Sequence, residues 1–296
     1  MRILVYGAGA MGVYFALRLQ QAGHELTLKA RPNTPATLRL STPSGQTSAE
    51  VRVLDELESE DFDLALVCTK AWQVPQAATE IGRHCPNTPI VTMQNGVTAP
   101  EHAHRAASNQ IIAATCVVIL ERTAPSTVSL LGNDAQLTIG EFTPGNITIV
   151  LNAFASTPIT VHTTTDIRRA LWKKLSLIGP YGGIGAITGL SVGETRAHPS
   201  TRGLVLTLME ELRQVANAQG IELCDADVND SKRLYLEVLD PNTTASMQRD
   251  LAEGKPSELD DQLGAVARMA KQSGVDTPVL NVVVGALEAR EAIARG

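Results

Sequence analysis

Short apolar runs alternate with stretches of helical period through the first half of the chain, and helical period alone continues through the second. Residues 3–6, 25–30, 64–68 and 89–93 read as buried strands, and residues 10–22, ended by Gly23, and 72–82 read as the helices that join them. Strand–helix–strand alternation of this kind predicts βαβ units and a mostly parallel sheet. Residues 111–120, 128–131 and 136–140 are rich in Val, Ile and Thr and bounded by Pro, Gly or Asn, and are expected as later, antiparallel strands. The character changes at Thr163-Thr164-Thr165-Asp166. Beyond it a helix is expected over 167–177, with Asp166 as its N-cap, then a helix with the apolar face Leu204, Leu208, Leu212 and Val215, ended by Gly220. Helices over 225–239, 258–272 and 279–294 follow, the last opened by Pro278. The fold class predicted is α/β: an N-terminal Rossmann-type doubly wound sheet over residues 1–164, then an all-helical domain over 165–296. Ligands of such a pair are expected in the cleft, at the carboxyl ends of the parallel strands.

The first apolar run leads directly into Gly7-Ala8-Gly9-Ala10-Met11-Gly12. A strand, then G-x-G-x-x-G, then an apolar helix is the arrangement that brings backbone N–H groups up to a pyrophosphate. Gly7 is expected to make the tight turn, Gly9 to leave room for the phosphates, and Gly12 to let the helix approach the sheet. The second run ends Leu28-Lys29-Ala30-Arg31, with no acid to accept from a ribose 2′-OH. Arg31 is suited to a 2′-phosphate, which selects NADP(H) over NAD; whether Lys29 assists is left open by the spacing.

Composition narrows the remaining choices. The 296 residues are 44% hydrophobic and 19% charged, enough for two ordinary domains with ample core. Only 3% are aromatic, so the core must be built from Ala, Leu, Val and Ile. A net charge of −6 argues against nucleic acid or an anionic membrane surface as partner. Cys68, Cys85, Cys116 and Cys224 are scattered and form no C-x-x-C, so reduced thiols, a cytoplasmic setting and no metal site are expected. No signal peptide, no run long enough to span a membrane, and no metal or Ser-His-Asp spacing among the six histidines is read.

Two further positions follow strand ends. Lys70, in Cys68-Thr69-Lys70-Ala71-Trp72-Gln73-Val74, is placed to face the cleft and reads as a cofactor contact or a loop lysine. Asn95, in Met93-Gln94-Asn95-Gly96-Val97, reads either as a turn residue or as a neutral amide beside the nicotinamide or a substrate carboxylate. With G-A-G-A-M-G, C-T-K-A-W-Q-V and M-Q-N-G-V in order, followed by L-W-K-K-L at 171–175 and S-M-Q-R-D…S-E-L-D at 246–260, the chain resembles the ketopantoate reductase (2-dehydropantoate 2-reductase) family over nearly its whole length. The resemblance implies NADPH-dependent reduction of a 2-oxo acid to a 2-hydroxy acid, a place in pantothenate biosynthesis, and two domains enclosing the cleft. A small-molecule oxo acid is then the partner, and a homodimer is allowed.

The resemblance makes Lys174 the catalytic lysine, the group that stabilises the growing oxyanion and donates the proton. Lys173 and Lys174 point about 100° apart on a helix, so only one is expected to face the cleft. Glu258 matches the acid that contacts the substrate hydroxyl, and Ser246 the serine that bonds the substrate carboxylate. The sequence also departs from the family. Ile178 and Gly182 stand where the family carries asparagines four and eight residues beyond the lysine, and Thr243 replaces another. Ile178 is expected to add an apolar wall to the substrate site, Gly182 to open space, and Gly179-Pro180 with Gly182-Gly183 to weaken or kink the helix. A different 2-oxo acid as substrate, or a nucleotide-binding sensor without turnover, are the competing readings.

Overall fold

The computed structural model describes residues 1–296, in two compact units. One comprises Met1–Gln94 and Ala99–Ile167; the other comprises Asn95–Thr98 and Arg168–Gly296. No helix is long and apolar enough to cross a membrane.

The first unit holds strands β1 (Arg2–Tyr6), β2 (Glu25–Lys29), β3 (Thr37–Thr42), β4 (Gly45–Glu50), β5 (Arg52–Leu54), β6 (Leu64–Val67), β7 (Ile90–Thr92), β8 (Ile111–Val117), β9 (Leu120–Ala124), β10 (Thr127–Leu130), β11 (Gln136–Glu141) and β12 (Thr160–Thr163). Its helices are α1 (Ala10–Gln21), α2 (Val74–His84), α3 (Ala99–Ala106) and α4 (Thr148–Phe154). The main sheet has the order β12-β11-β8-β7-β6-β1-β2-β5. From β8 to β5 every neighbouring pair is parallel. Counted along the chain, those six strands lie in the order 3-2-1-4-5-6, the doubly wound Rossmann arrangement, which reverses direction between β1 and β6. The glycine loop after β1 therefore stands at the switch point where such sheets bind ligands.

The alternation within β1 explains why its run is continuously apolar. Ile3 and Val5 pack with α1 in one core, and Leu4 and Tyr6 pack with α2 in another, so both faces of the strand are covered. Each such side chain contributes roughly 1.5–3 kcal/mol on burial. The later strands differ from expectation in direction. β8 is antiparallel to β11 but parallel to β7, because α3 carries the chain back across the sheet before β8 begins. A second sheet, β4-β3-β10-β9, was not foreseen from the pattern. Its strand β4, Gly-Gln-Thr-Ser-Ala-Glu, is exposed over most of its length and carries no apolar alternation. Leu38 and Leu40 of β3 and Val128 and Leu130 of β10 join the core that covers α1. Tyr14 and Arg18 of α1 both bond Asp134, at 2.7 and 2.8 Å, and Ala135 N–H donates to the Tyr14 hydroxyl, which ties α1 to the entry of β11.

The helical unit contains α5 (Ile167–Thr188, whose first residue belongs to the other unit), α6 (Val192–Ala197), α7 (Pro199–Ala218), α8 (Asp225–Arg233), α9 (Ser246–Ala252), α10 (Ala265–Ser273) and α11 (Pro278–Arg295). The helix expected over 167–177 continues as α5 to Thr188, uninterrupted through Gly179, Pro180, Gly182 and Gly183. Packing overrides propensity here. A Cβ at Gly179 would lie 2.9 Å from Leu263 Cδ2, and one at Gly183 would lie 2.8 Å from both Leu263 Cδ1 and Val283 Cγ1. A Cβ at Gly185 would meet the Gln248 amide at 2.6 Å. The glycines let neighbouring elements close on the α5 backbone, and that burial offsets the roughly 1 kcal/mol helix penalty of each glycine and the hydrogen bond missing at Pro180.

Two smaller departures lie in the helices that follow. The apolar face of α7 runs through Val205, Leu208, Met209, Leu212, Val215 and Ala216, while Leu204 is exposed. The stretches expected as single helices over 225–239 and 258–272 each contain a π-helical turn, at Leu234–Val238 and Asp260–Gly264. The four residues Asn95–Thr98 pack with the helices although they lie within the nucleotide half of the sequence. Val97 joins the helical core, and Gly96, at φ 101°, sits so close that a Cβ would be 2.9 Å from the Asp261 carbonyl.

Candidate active site

The three glycines of the first loop do different work. Gly7 has φ 110°, donates its N–H to the Lys29 carbonyl at 2.9 Å, and has no room for a side chain against Cys68 and Thr69. A Cβ on Gly12 would lie 1.8 Å from the Gly7 carbonyl oxygen, so this glycine lets α1 start against the turn. Gly9 is different. It caps α1 with φ −75° and ψ −176°, a conformation any residue adopts, and the nearest atom to its would-be Cβ is the Cys68 carbonyl oxygen at 3.9 Å. Nothing in the protein itself requires a glycine at position 9. What the missing side chain leaves open is the space over the N-terminus of α1, where the amides of Ala10, Met11 and Gly12 lack intrahelical acceptors. Ala8, Ala10 and Met11 are partly buried around it. Thr69, whose methyl group abuts Gly7, keeps its hydroxyl buried with no hydrogen-bond partner. An open cradle, oriented amides and a spare hydroxyl fit the phosphates of a dinucleotide.

The two cations at the end of β2 have separate fates. Lys29 Nζ donates to the Asp55 carbonyl at 2.7 Å, lies 3.5 Å from Glu80, and rests 5.3 Å from the centre of the Tyr6 ring. It is therefore committed inside the unit. Tyr6 in turn donates to Glu80; burial first, and this carboxylate second, push its phenol well above the ordinary value. Arg31 is exposed, and its carbonyl accepts from Thr34 N–H and Thr34 Oγ1, which fixes the backbone beneath it.

Lys70 lies three residues beyond the end of β6 and is partly buried; its N–H donates to Gln73 Oε1 at 3.3 Å. The residue that sequence reading left without a role is Gln94. Its buried amide donates to the carbonyls of Val67 and Thr69, at 2.8 and 3.0 Å, and accepts from Met93 N–H. It latches the end of β7 to the end of β6 and so fixes the segment leading to Lys70. A glutamine between a buried strand and an Asn-Gly turn was the available signal. Asn95, the next residue, is partly buried in the loop that packs with the helical unit.

In the helical unit, α5 separates its two lysines. Lys173 pairs with Asp230 at 2.9 Å and Asp227 at 3.7 Å on α8. Arg169, one turn earlier, reaches the same Asp227 at 2.6 Å. Burial alone would raise the Asp227 carboxyl, but hydrogen bonds from Arg169 and Cys224 together hold it below the usual carboxylate value. Lys174 is partly buried and lies about 100° round the helix from Lys173, in line with Ile178 and Gly182 one and two turns on. The space expected beside Gly182 is filled: Ala245 Cβ is 2.7 Å from where a Cβ would stand, and Met247 Cε is 3.7 Å away. Ser246 is the first residue of α9, with Ala245 as its cap. Glu258 is buried, and its carbonyl accepts from Gln262 N–H in the π-helical turn.

A doubly wound sheet with a glycine loop at its switch point, followed by a helical unit, is an architecture of dinucleotide-binding enzymes. Residues 3–144 match the family model described as ketopantoate reductase PanE/ApbA, and residues 166–291 match its C-terminal counterpart. A 2-dehydropantoate 2-reductase of Caulobacter vibrioides is 31% identical over 293 residues, covering 97% of this chain and 98% of that protein. The crystal structure of a PanE/ApbA family ketopantoate reductase from Ralstonia eutropha JMP134 superposes with a TM-score of 0.90 at 28% identity, over the full length of both chains. A D-mandelate dehydrogenase solved with NADH and anilino(oxo)acetate shares the fold, with a TM-score of 0.91 at 21% identity and 100% and 99% of the two chains covered. The chain belongs to the ketopantoate reductase family, a family of oxidoreductases acting on CH–OH groups.

Proposed function

We propose that this enzyme uses NADPH to reduce a 2-oxo acid to the 2-hydroxy acid, with 2-dehydropantoate, converted to pantoate, as the leading substrate. The observation that carries the reading is the register of α5, which puts Lys174 on the face that continues to Ile178 and Gly182, about 100° round the helix from Lys173. The loop Gly7, Ala8, Gly9, Ala10, Met11 and Gly12 would hold the cofactor's phosphates, Arg31 its 2′-phosphate, and Lys70 and Asn95 its remaining polar groups. When bound, the cofactor supplies a hydride to the carbonyl carbon. The Lys174 ammonium stabilises the charge growing on the carbonyl oxygen and gives that oxygen its proton, which solvent then restores to the amine. Ser246 and Asn95 bond the substrate carboxylate, and Glu258 contacts the hydroxyl. Domain limits at 1–164 and 165–296, a cytoplasmic setting and a homodimer belong to the same reading.

Arg31→Ala is expected to raise KM for NADPH by ~10- to 100-fold and to leave KM for NADH within twofold, as befits loss of one charge-assisted contact. Equal effects on both coenzymes in steady-state assays would remove Arg31 from cofactor choice.

A second reading, another 2-oxo acid as substrate, is favoured by one observation. Where the family carries amides, Ile178 is apolar and the space at Gly182 is closed by Ala245. A site without those amides loses its means of rewarding a distal hydroxyl. The test is a comparison of kcat/KM on ketopantoate with kcat/KM on branched and aromatic 2-oxo acids lacking the hydroxyl. Preference for ketopantoate supports the first reading, and preference by about tenfold or more for an apolar acid supports the second. No NADPH oxidation with any acid, despite nucleotide binding in calorimetry, would leave only the sensor.

A further inference from the structure

The helical unit contains a buried carboxylate that the proposed reaction does not use. Glu291 of α11 is 6% exposed and faces the residue preceding Glu258. Its two oxygens each accept from Ser257 N–H at 3.0 Å, and one accepts from Ser257 Oγ at 2.6 Å. Arg295, one turn on, pairs with Glu291 at 2.8 Å and donates to the Ser257 carbonyl at 3.1 Å. Ser257 is fully buried, and its hydroxyl oxygen also accepts from Leu259 N–H at 3.2 Å. Every polar group of Ser257 is thus held by α11 or by its own turn. On the other side of Glu258, its carbonyl accepts from Gln262 N–H and the Leu259 carbonyl accepts from Gly264 N–H, which closes the π-helical turn.

We propose that Glu291 is a positioning residue: with Arg295 it clamps Ser257 and thereby fixes the backbone that presents the Glu258 carboxylate to substrate. The proposal rests on the reading that Glu258 touches substrate. A buried carboxylate is a costly way to anchor a turn, because burial opposes its charge unless hydrogen bonds satisfy it. Here three hydrogen bonds and one guanidinium converge on it, and all the neutral donors come from the single residue before Glu258. The pattern is that of a rigid mount holding a reacting group in place, where displacement of about 1 Å can cost ~100-fold in rate.

The test compares Glu291→Ala, Glu291→Gln, Ser257→Ala, Glu258→Gln and Arg290→Ala, with the best 2-oxo acid of the panel as substrate. Arg290 is the control: it lies on the same helix but bonds the carbonyls of Ala186 and Leu251. Glu291→Ala is expected to lower kcat about 100-fold with KM for NADPH within twofold of the parent. Glu291→Gln, which keeps one acceptor oxygen, is expected to recover about tenfold of that loss, and Ser257→Ala to lower kcat about tenfold with the same signature. Arg290→Ala is expected to lower the melting temperature and keep kcat within threefold. Should Glu291→Ala fail to fold, Ser257→Ala decides. The proposal is overturned if the deciding variant keeps kcat within threefold while Glu258→Gln loses activity, or if all losses track the folded fraction as in Arg290→Ala. Full activity in Glu258→Gln, or a parent that reduces no acid, instead overturns the reading beneath it.

Discussion

Lys174→Ala is expected to lower kcat for the 2-oxo acid by about a thousandfold, with no change in nucleotide affinity. The size follows from losing two contributions at once. A positioned proton donor is worth roughly 10²- to 10⁴-fold, and removing one donor from a developing oxyanion costs about 10²- to 10³-fold. The two overlap in one ammonium group, so they do not multiply. Lys173→Ala is the matched control. Its partners Asp230 and Asp227 are shared with Arg233 and Arg169, and a half-exposed ion pair contributes at most about 1 kcal/mol. Pre-steady-state rates should therefore drop for position 174 and stay level for position 173. Equal turnover in Lys174→Ala and the parent would end the proposed chemistry.

Gly9→Ala is expected to weaken NADPH binding by about 100-fold while costing no more than about 1 kcal/mol of stability, the difference between glycine and alanine as a helix cap. The structure offers the added methyl group open space and an ordinary backbone conformation, so only a bound phosphate would oppose it. Gly12→Ala supplies the contrast. Its methyl group would fall 1.8 Å from the Gly7 oxygen, and the overpacking should cost about 3 kcal/mol even without ligand. Calorimetric titration and urea unfolding separate the two cases. If Gly9→Ala bound NADPH as tightly as the parent, the cradle over α1 would not be the phosphate site.

Much of the first unit could be read from the sequence because its information is local. Residues 3–6 are apolar at every position since both faces of β1 are covered, and the glycines follow at the spacing that the turn and helix entry require. The polar strands β3 and β4 could not be read this way. Besides backbone hydrogen bonds and a Thr37–Glu50 contact, only Leu38 and Leu40 of β3 and the partly buried Ala49 of β4 meet the core, which is too little alternation to mark a strand. The direction of β8 and the continuity of α5 were hidden for a related reason. One depends on where α3 crosses, and the other on Leu263 and Val283, some eighty residues or more beyond the glycines they cover.

Among site positions, the glycine loop and Arg31 are visible as spacing, and the separate commitment of Lys29 is not, because Asp55, Glu80 and Tyr6 are brought to it only by the fold. Lys174 is singled out from its neighbour by the resemblance, while the pairing of Lys173 with Asp227 and Asp230 comes only with the fold. Glu291 gives no signal of its own in a helix that reads as ordinary amphipathic sequence.

The helix bearing Lys174 carries glycines at 179, 182, 183 and 185, and at each the surrounding elements come up against its backbone. An enlargement at Gly179, Gly182 or Gly183 would be felt by Leu263, Ala245 or Val283 before it reached any ligand. Directed evolution of this protein toward new acids would thus find the lysine-bearing rod nearly frozen, with the freedom to reshape selectivity lying in the surrounding elements.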